Sequence, residues 1–382
     1  MKDMNLAQSL AIDSQLRLPG SAGRLLKQIR DIEQVAPLFR AAGLVKAVPK
    51  PTVVNLKVSG IATKSCSVKA LGGFIYASAA VRTSLLIEEN QVSTQGSDSV
   101  SELDDIDFEA QRKRLDLIEM RQAYLLVERQ LERSEHCDLI VLDTPLFLAR
   151  DMAPLERNLR HKAEYENTKN TIEKFWQNHR DKLFPWNPNG IVLVSILAER
   201  FSAIVSIARQ DLRSEEGRQQ ILSNDGFSTD MVTKLADLEE SLSGVGDLRF
   251  INGILGNYSR TIAFRLSDQE NRMEPSSEVK GGLIGFHFRS AREGQIKMAQ
   301  LAGDEPDWTS SSLDLVASRL MVLDMQNKGR AMPLPQLLGY QQLGILPKFA
   351  EFYRKGLHGA IKNNDIETRW LAGLDEGLNN GL

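Results

Sequence analysis

The spacing of apolar residues changes period along the chain, and each change marks an expected element. Leu25, Leu26, Ile29 and Ile32 recur at helical spacing behind Ser21, so residues 1–50 read as a mainly helical region with Ser21 as a cap. The β-branched run Thr52 to Val58 then reads as a strand, with Gly60 as a turn and Gly72-Gly73 opening a further strand from Phe74 to Leu86. Leu117, Met120, Tyr124, Val127 and Leu131 form one apolar stripe, which predicts a long helix from Gln111 to Glu135. Leu139 to Leu142 is a short, wholly apolar run, the pattern of a buried central strand, and it delivers Asp143 at its C-terminal end.

The second half repeats the alternation. A charged helix is expected from Pro154 to Lys182, the PWNPNG segment breaks it, Ile191 to Ser195 is a second buried strand, and Ala198 to Arg209 leads into helix. Residues 210–250 are mostly polar and read as peripheral. Gly281 to Phe288 suggests a strand lying close to other backbone. Leu313, Val316, Leu320 and Leu323 place a helix over Ser311 to Gln326, and Pro347 suits the first turn of a last helix through Phe349, Phe352 and Leu357. Helices alternating with apolar strands define an α/β layer fold.

Composition and charge narrow the class. The 382 residues include 42% apolar and 25% charged side chains with a net charge of −3, which excludes a wholly basic nucleic-acid wrapper but leaves room for a local basic groove. Two distant cysteines, Cys66 and Cys137, supply neither a disulfide framework nor a zinc site, in keeping with a reducing, cytoplasmic setting. The most apolar window, Ile191 to Ile207, is broken by Glu199 and Arg200, so no membrane span is expected; the start of the chain lacks the apolar core of a signal peptide. Residues 88–109 carry eight acidic side chains and no lysine or arginine, and read as an exposed, mobile loop. No internal repeat or glycine-rich phosphate loop occurs, since the GGLIG segment lacks the fingerprint spacing.

Asp143 is the sharpest chemical signal. A carboxylate directly after a buried strand sits where active sites of α/β sheets gather, although an aspartate before Thr144-Pro145 also suits a turn cap. On the preceding helix, Glu119 and Glu128 lie on different faces, so at most one of them points at Asp143, and Asp116 is a third candidate. Carboxylates converging from separate elements suit a divalent ion for phosphodiester cleavage. The other histidines carry less: His136 beside Cys137 has no second metal-binding pair, and His161, His179 and His358 read as surface-helix residues. Phe286, His287, Phe288 and Arg289 suit either base stacking or core packing, and Lys348, Arg354 and Lys355 either a basic patch or ordinary solvation. The same choice applies to Arg24, Lys27, Arg30 and Arg40 near the start.

Taken together, the segments VVNLKVSGIATKS, GGFIYASAAVRTS, RKRLDLIEMRQA, LIVLDTPLF and MPLPQLLGYQQLGIL, in this order over roughly residues 50–360, resemble the NurA family of DNA end-processing nucleases. The resemblance implies an RNase H-like mixed central sheet flanked by helices, with helical additions: an N-terminal helical region at 1–50, the nuclease-type domain at 51–360 and a tail at 361–382. It implies Mn²⁺ or Mg²⁺ as cofactor, DNA as substrate, a HerA-type hexameric ATPase as partner and a homodimeric body. The family's helix glutamate falls on Glu119 and its strand-end aspartate on Asp143, the two residues that would hold the metal and catalyse, with Lys64 and Arg82 as phosphate contacts. Three positions depart from the pattern. The first catalytic aspartate falls on Ala62, the lysine after Ser195 is replaced by Ile196, and the late histidine falls on Tyr340. The resemblance therefore implies either a metal-dependent nuclease or resection subunit, or a catalytically impaired DNA-binding or scaffold subunit of the same ATPase complex.

Overall fold

The computed structural model describes residues 6–50, 55–70, 72–89, 91–133, 137–197, 221–236, 245–266, 273–274, 282–291, 294–327 and 332–362. The N-terminal helix α1 (Leu6–Ala41) leads into β1 (Val45–Ala47). Three sixteen-residue strands follow, β2 (Asn55–Ala70), β3 (Gly73–Glu88) and β4 (Gln91–Ile106), and then helix α2 (Gln111–Leu131). Next come β5 (Leu139–Leu142), β6 (Leu148–Ala149), α3 (Leu159–His179), β7 (Leu183–Phe184) and β8 (Ile191–Leu197). Two short helices, α4 (Thr229–Ala236) and α5 (Asp247–Ile254), precede β9 (Ser259–Thr261), β10 (Phe264–Arg265), β11 (Met273–Glu274), β12 (Leu283–Arg289) and β13 (Lys297–Ala302). Helices α6 (Ser310–Gln326), α7 (Leu334–Leu343) and α8 (Leu346–Lys362) close the described chain.

One mixed sheet organises these elements in the order β1-β9-β12-β13-β8-β5-β2-β3-β4. The short strand β5 pairs in parallel with β2 on one side and β8 on the other, which explains its uninterrupted apolar run: it is covered on both faces. The strands read from the sequence up to Val58, from Phe74 to Leu86 and from Leu139 to Leu142 lie side by side, because β5 adjoins β2 and β2 adjoins β3. Alternation along β2 divides the two faces. Ile61 packs with Leu117 and Tyr124 of α2, whereas Ala62 packs with Leu343 and Leu346 on the opposite side. A third cluster joins the C-terminal part of α1 to α5 through Phe39 and Phe250, whose rings meet edge to face at 5.2 Å.

Several expectations are corrected by the coordinates. Residues 88–109 do not form a loop: Gln91–Ile106 is β4, an edge strand on which Asp104 and Asp105 are exposed while Asp98 pairs with Arg129 and Arg133 and Glu102 accepts from Tyr76. Its charge serves an edge, where it discourages pairing with other chains. Gly60 is not a turn. It lies within β2, where an added Cβ would come within 2.6 Å of the Cβ of Pro335, so its missing side chain admits the start of α7. Ser21 lies inside α1 rather than capping it, and its hydroxyl accepts a hydrogen bond from Arg24. The stretch 210–250 is not merely peripheral, since Leu222, Val232, Leu235 and Phe250 are buried. His161 and His179 are also buried, the latter 3.1 Å from Glu128, because α3 packs its face onto α2. Arg354 turns inward to Glu351 instead of joining a basic patch. The segment Ala198 to Arg209, His136 and residues 363–382 lie outside the described residues. Among the described residues no helix is long and apolar enough to cross a membrane.

Candidate functional site

The candidate site forms where β5 ends beside the middle of β2. In the parallel register Ile61 stands opposite Leu142, so Asp143 emerges next to Ala62 and Thr63. Asp143 is fastened there by three donors. The Thr63 backbone N–H donates to its Oδ2 at 2.7 Å, the Tyr340 hydroxyl donates to the same oxygen at 2.6 Å, and the Thr63 hydroxyl approaches Oδ1 at 3.1 Å. Glu119 reaches the same threonine from α2, its Oε2 lying 3.3 Å from Thr63 Oγ1. The helix and the strand end thus bring together the two acids expected from the sequence. Glu128 turns away to His179.

A threonine hydroxyl carries one proton, so it cannot donate fully to two carboxylates at once. Burial is the main force on both acids. It pushes Glu119 up to about 7, opposed by a hydrogen bond from Ser65 and reinforced by the charge of Asp143. Asp143 is pushed up to about 6, against the pull of its Tyr340 and Thr63 hydrogen bonds. Near neutral pH the pair therefore retains a proton for part of the time, and that proton relieves both the repulsion and the shortage of donors. Among the described residues no lysine or arginine is ion-paired to either half-buried acid, and hydroxyls and protons hold the two.

The other expected positions behave differently. Ala62 is wholly buried on the opposite face of β2, where Gly339 of α7 lies so close that a Cβ on the glycine would come within 2.8 Å of the Ala62 Cβ. The side chain that faces Glu119 is Thr63, one residue on; a one-residue shift in a strand reverses the face. Sequence reasoning passed over Thr63 and Ser65, yet the alternation Ile61, Thr63, Ser65 carried the signal. Arg82 is wholly buried and donates to Gln130 and to Ser84 at 2.7 Å, under α2 rather than at a surface where a phosphate could reach it. Lys64 is half-buried on the Ala62 face of β2. Ile196 belongs to the core on β8, beside Ser195, whose hydroxyl donates to the Thr144 carbonyl at 2.6 Å.

Among the described residues these donors do not make an all-protein cage for a divalent ion. Mg²⁺-type ions take about six oxygen ligands, commonly one or two carboxylates with waters and substrate phosphates making up the rest, and among the described residues no group of three or more histidine, cysteine, aspartate or glutamate side chains converges. Glu119 and Asp143 offer two carboxylates. Both acceptor directions of Asp143 Oδ2 are already used by protein donors.

The sheet order with β5 parallel to β2 and β8, the long β2-β3-β4 meander and the covering helices define an RNase H-like fold with helical additions. Within that class, the particular likeness is to the NurA nuclease from Sulfolobus solfataricus, at a TM-score of 0.55 and 12% identity over 95% of this chain and 99% of that one. A crystal structure of NurA with manganese is similar at a TM-score of 0.42 and 13% identity, covering 92% and 99%. An endonuclease V from Bacillus subtilis gives 0.31 and 10%, covering 81% and 88%. No protein-family model matches the chain, and no curated protein matches it in sequence.

Proposed function

We propose that this chain is a catalytically impaired NurA-like subunit that guides DNA, or caps the motor, in a complex with a HerA-type hexameric ATPase. One observation carries this reading: in a NurA-type fold, Glu119 and Asp143 meet at a threonine, with Ala62 packed under α7 and Tyr340 bonded to Asp143. An ion-dependent nuclease needs the ion both to activate water and to stabilise charge on the transferring phosphate. With two carboxylates whose charge is suppressed by burial, both contributions are weak. The scaffold retains what binding requires, a rigid sheet and helices that can present a surface to a motor, and self-association as a dimer belongs to the same reading.

The test is a nuclease assay on linear single- and double-stranded DNA with Mn²⁺, with and without the cognate ATPase. The parent chain, Asp143→Ala and Thr63→Asp are compared. The proposal expects the parent to bind DNA or the ATPase without cutting, and cleavage to be no greater than with Asp143→Ala. Thr63→Asp adds a carboxylate on the face of Glu119 and is the variant in which cutting should appear first. Metal-dependent cleavage by the parent that Asp143→Ala abolishes would replace this reading with that of an active nuclease.

A further inference from the structure

A cavity of about 650 Å³ opens between α1, α5 and the end of β12, away from the carboxylate pair. Its wall carries three arginines, Arg40, Arg249 and Arg289, with Asn252 and Asn257 beside them and Glu33 as its one acidic residue. Several arginines elsewhere in this chain are matched with acids: Arg260 with Asp225 and Asp314, Arg265 with Asp304 and Glu305, Arg114 with Asp107 and Arg121 with Glu164. In the cavity no arginine is within ion-pair distance of a carboxylate among the described residues.

The three differ in what holds them. Arg289 donates to the backbone carbonyls of Asn252 at 3.1 Å and Leu255 at 2.8 Å, which fixes it at the C-terminal end of α5. Its Nη2 also donates to Asn252 Oδ1, its Nε–H is buried without a partner, and burial lowers the pKa of the guanidinium. Arg249, partly exposed, donates to Gln28 Oε1 of α1. Arg40 is exposed on the last turn of α1. Helix capping accounts for Arg289 alone. The convergence of all three leaves a surplus of positive charge on a concave surface, and planar guanidinium forks bind phosphate oxygens in pairs.

The place of the cavity in the sheet gives it direction. Strand β8 is parallel to β5, and β13 and β12 are successive antiparallel neighbours, so β12 runs the same way as β5. Arg289 thus ends β12 at the sheet edge where Asp143 follows β5. Leu142 is level with Ser195, Gln300 and Gly285 across the sheet, so Arg289 lies three strands over and three residues further along than Asp143, roughly 17 Å away at the usual spacings of about 4.8 Å per strand and 3.3 Å per residue.

We propose that this cavity is a phosphate-binding subsite, with Arg40 and Arg249 as its adjustable donors and Arg289 as its fixed charge, and that the phosphate it takes belongs to a nucleic-acid strand laid along this edge. The strand half of the inference rests on the DNA-guiding reading above; phosphate binding itself does not.

The experiment compares the full chain with the double variant Arg40→Gln, Arg249→Gln, which keeps the α5 cap intact. Thermal unfolding is followed with and without inorganic pyrophosphate, and binding of a labelled single-stranded oligonucleotide is followed by anisotropy over a range of salt. The subsite predicts that pyrophosphate raises the unfolding temperature of the parent and not of the variant. A strand in the cavity predicts about tenfold weaker oligonucleotide binding by the variant, and a log K against log salt slope shallower by about 1.4 for two lost phosphate contacts. Equal pyrophosphate responses in the two proteins overturn the subsite. A pyrophosphate response lost in the variant with oligonucleotide binding unchanged overturns the strand and leaves a free phosphate compound as the ligand. If the parent binds no oligonucleotide yet responds to pyrophosphate, the DNA-guiding reading fails while the subsite stands.

Discussion

Two polar clusters in this fold solve the problem of buried charge in opposite ways. Around Arg260, the guanidinium meets Asp225 through two bonds at 2.6 and 2.8 Å and Asp314 through a third at 2.6 Å, while Lys46 reaches Asp225 at 3.3 Å. Burial alone would lift the Asp225 carboxyl, but the Arg260 hydrogen bonds and charge override it and hold the group below its ordinary range. Around Thr63, Glu119 and Asp143 have hydroxyls and an amide for partners, and both are lifted. Cations complete the first cluster; protons complete the second. Packing stability explains the first arrangement and gives no reason for the second, since two acids brought together without a cation cost stability as soon as both ionise.

The largest expected effect breaks the first cluster. Arg260→Met strands a buried Asp225 and should destabilise the chain by about 3–5 kcal/mol in denaturant unfolding, or prevent folding altogether. The next separates the two clusters by pH. Because Glu119 and Asp143 bind protons more tightly folded than unfolded, the native state carries extra protons between about pH 4 and 7, and stability falls as pH rises through that window. Glu119→Gln removes part of that slope and should make the chain more stable than the parent, by about 2 kcal/mol at pH 8, with the difference vanishing near pH 4. A parent whose stability instead rises from pH 5 to 8 relative to this variant would mean that a cation holds the pair.

Smaller effects sharpen the geometry. Gly339→Ala pushes α7 off Ala62 and should cost about 1–2 kcal/mol, the overpacking strain exceeding the gain in helix propensity. Tyr340→Phe removes one donor from Asp143 and should cost about 1 kcal/mol at pH 8. That cost shrinks at pH 5, because the bond favours the charged carboxylate. Chemical unfolding at the two pH values checks both variants.

The layer architecture was legible because buried elements advertise their period. The run Leu139 to Leu142, the α2 stripe and Pro347 at the start of α8 all appear where the pattern places them. Residues 88–109 misled because an exposed edge strand buries so little that its sequence resembles a solvated loop. His161 and His179 were hidden by a charged helix whose inner face buries polar side chains as well as apolar ones. At the candidate site, Glu119 and Asp143 could be read from a helix face and a strand end. The alternation Ile61, Thr63, Ser65 separates the two faces of β2, but which face meets Glu119 depends on the docking of α7, which Gly60 and Gly339 fix through contacts remote in sequence.

The central claim is that Glu119 and Asp143 are a proton-relieved pair rather than a metal centre. The most direct measurement is a Mn²⁺ titration followed by electron paramagnetic resonance at pH 7.5 on the parent and Asp143→Asn. The account predicts binding no tighter than about millimolar, because the ion must displace the retained proton and compete with the Thr63 and Tyr340 donors on Asp143, with the same weak response in both proteins. A micromolar Mn²⁺ site in the parent that disappears in Asp143→Asn would contradict it.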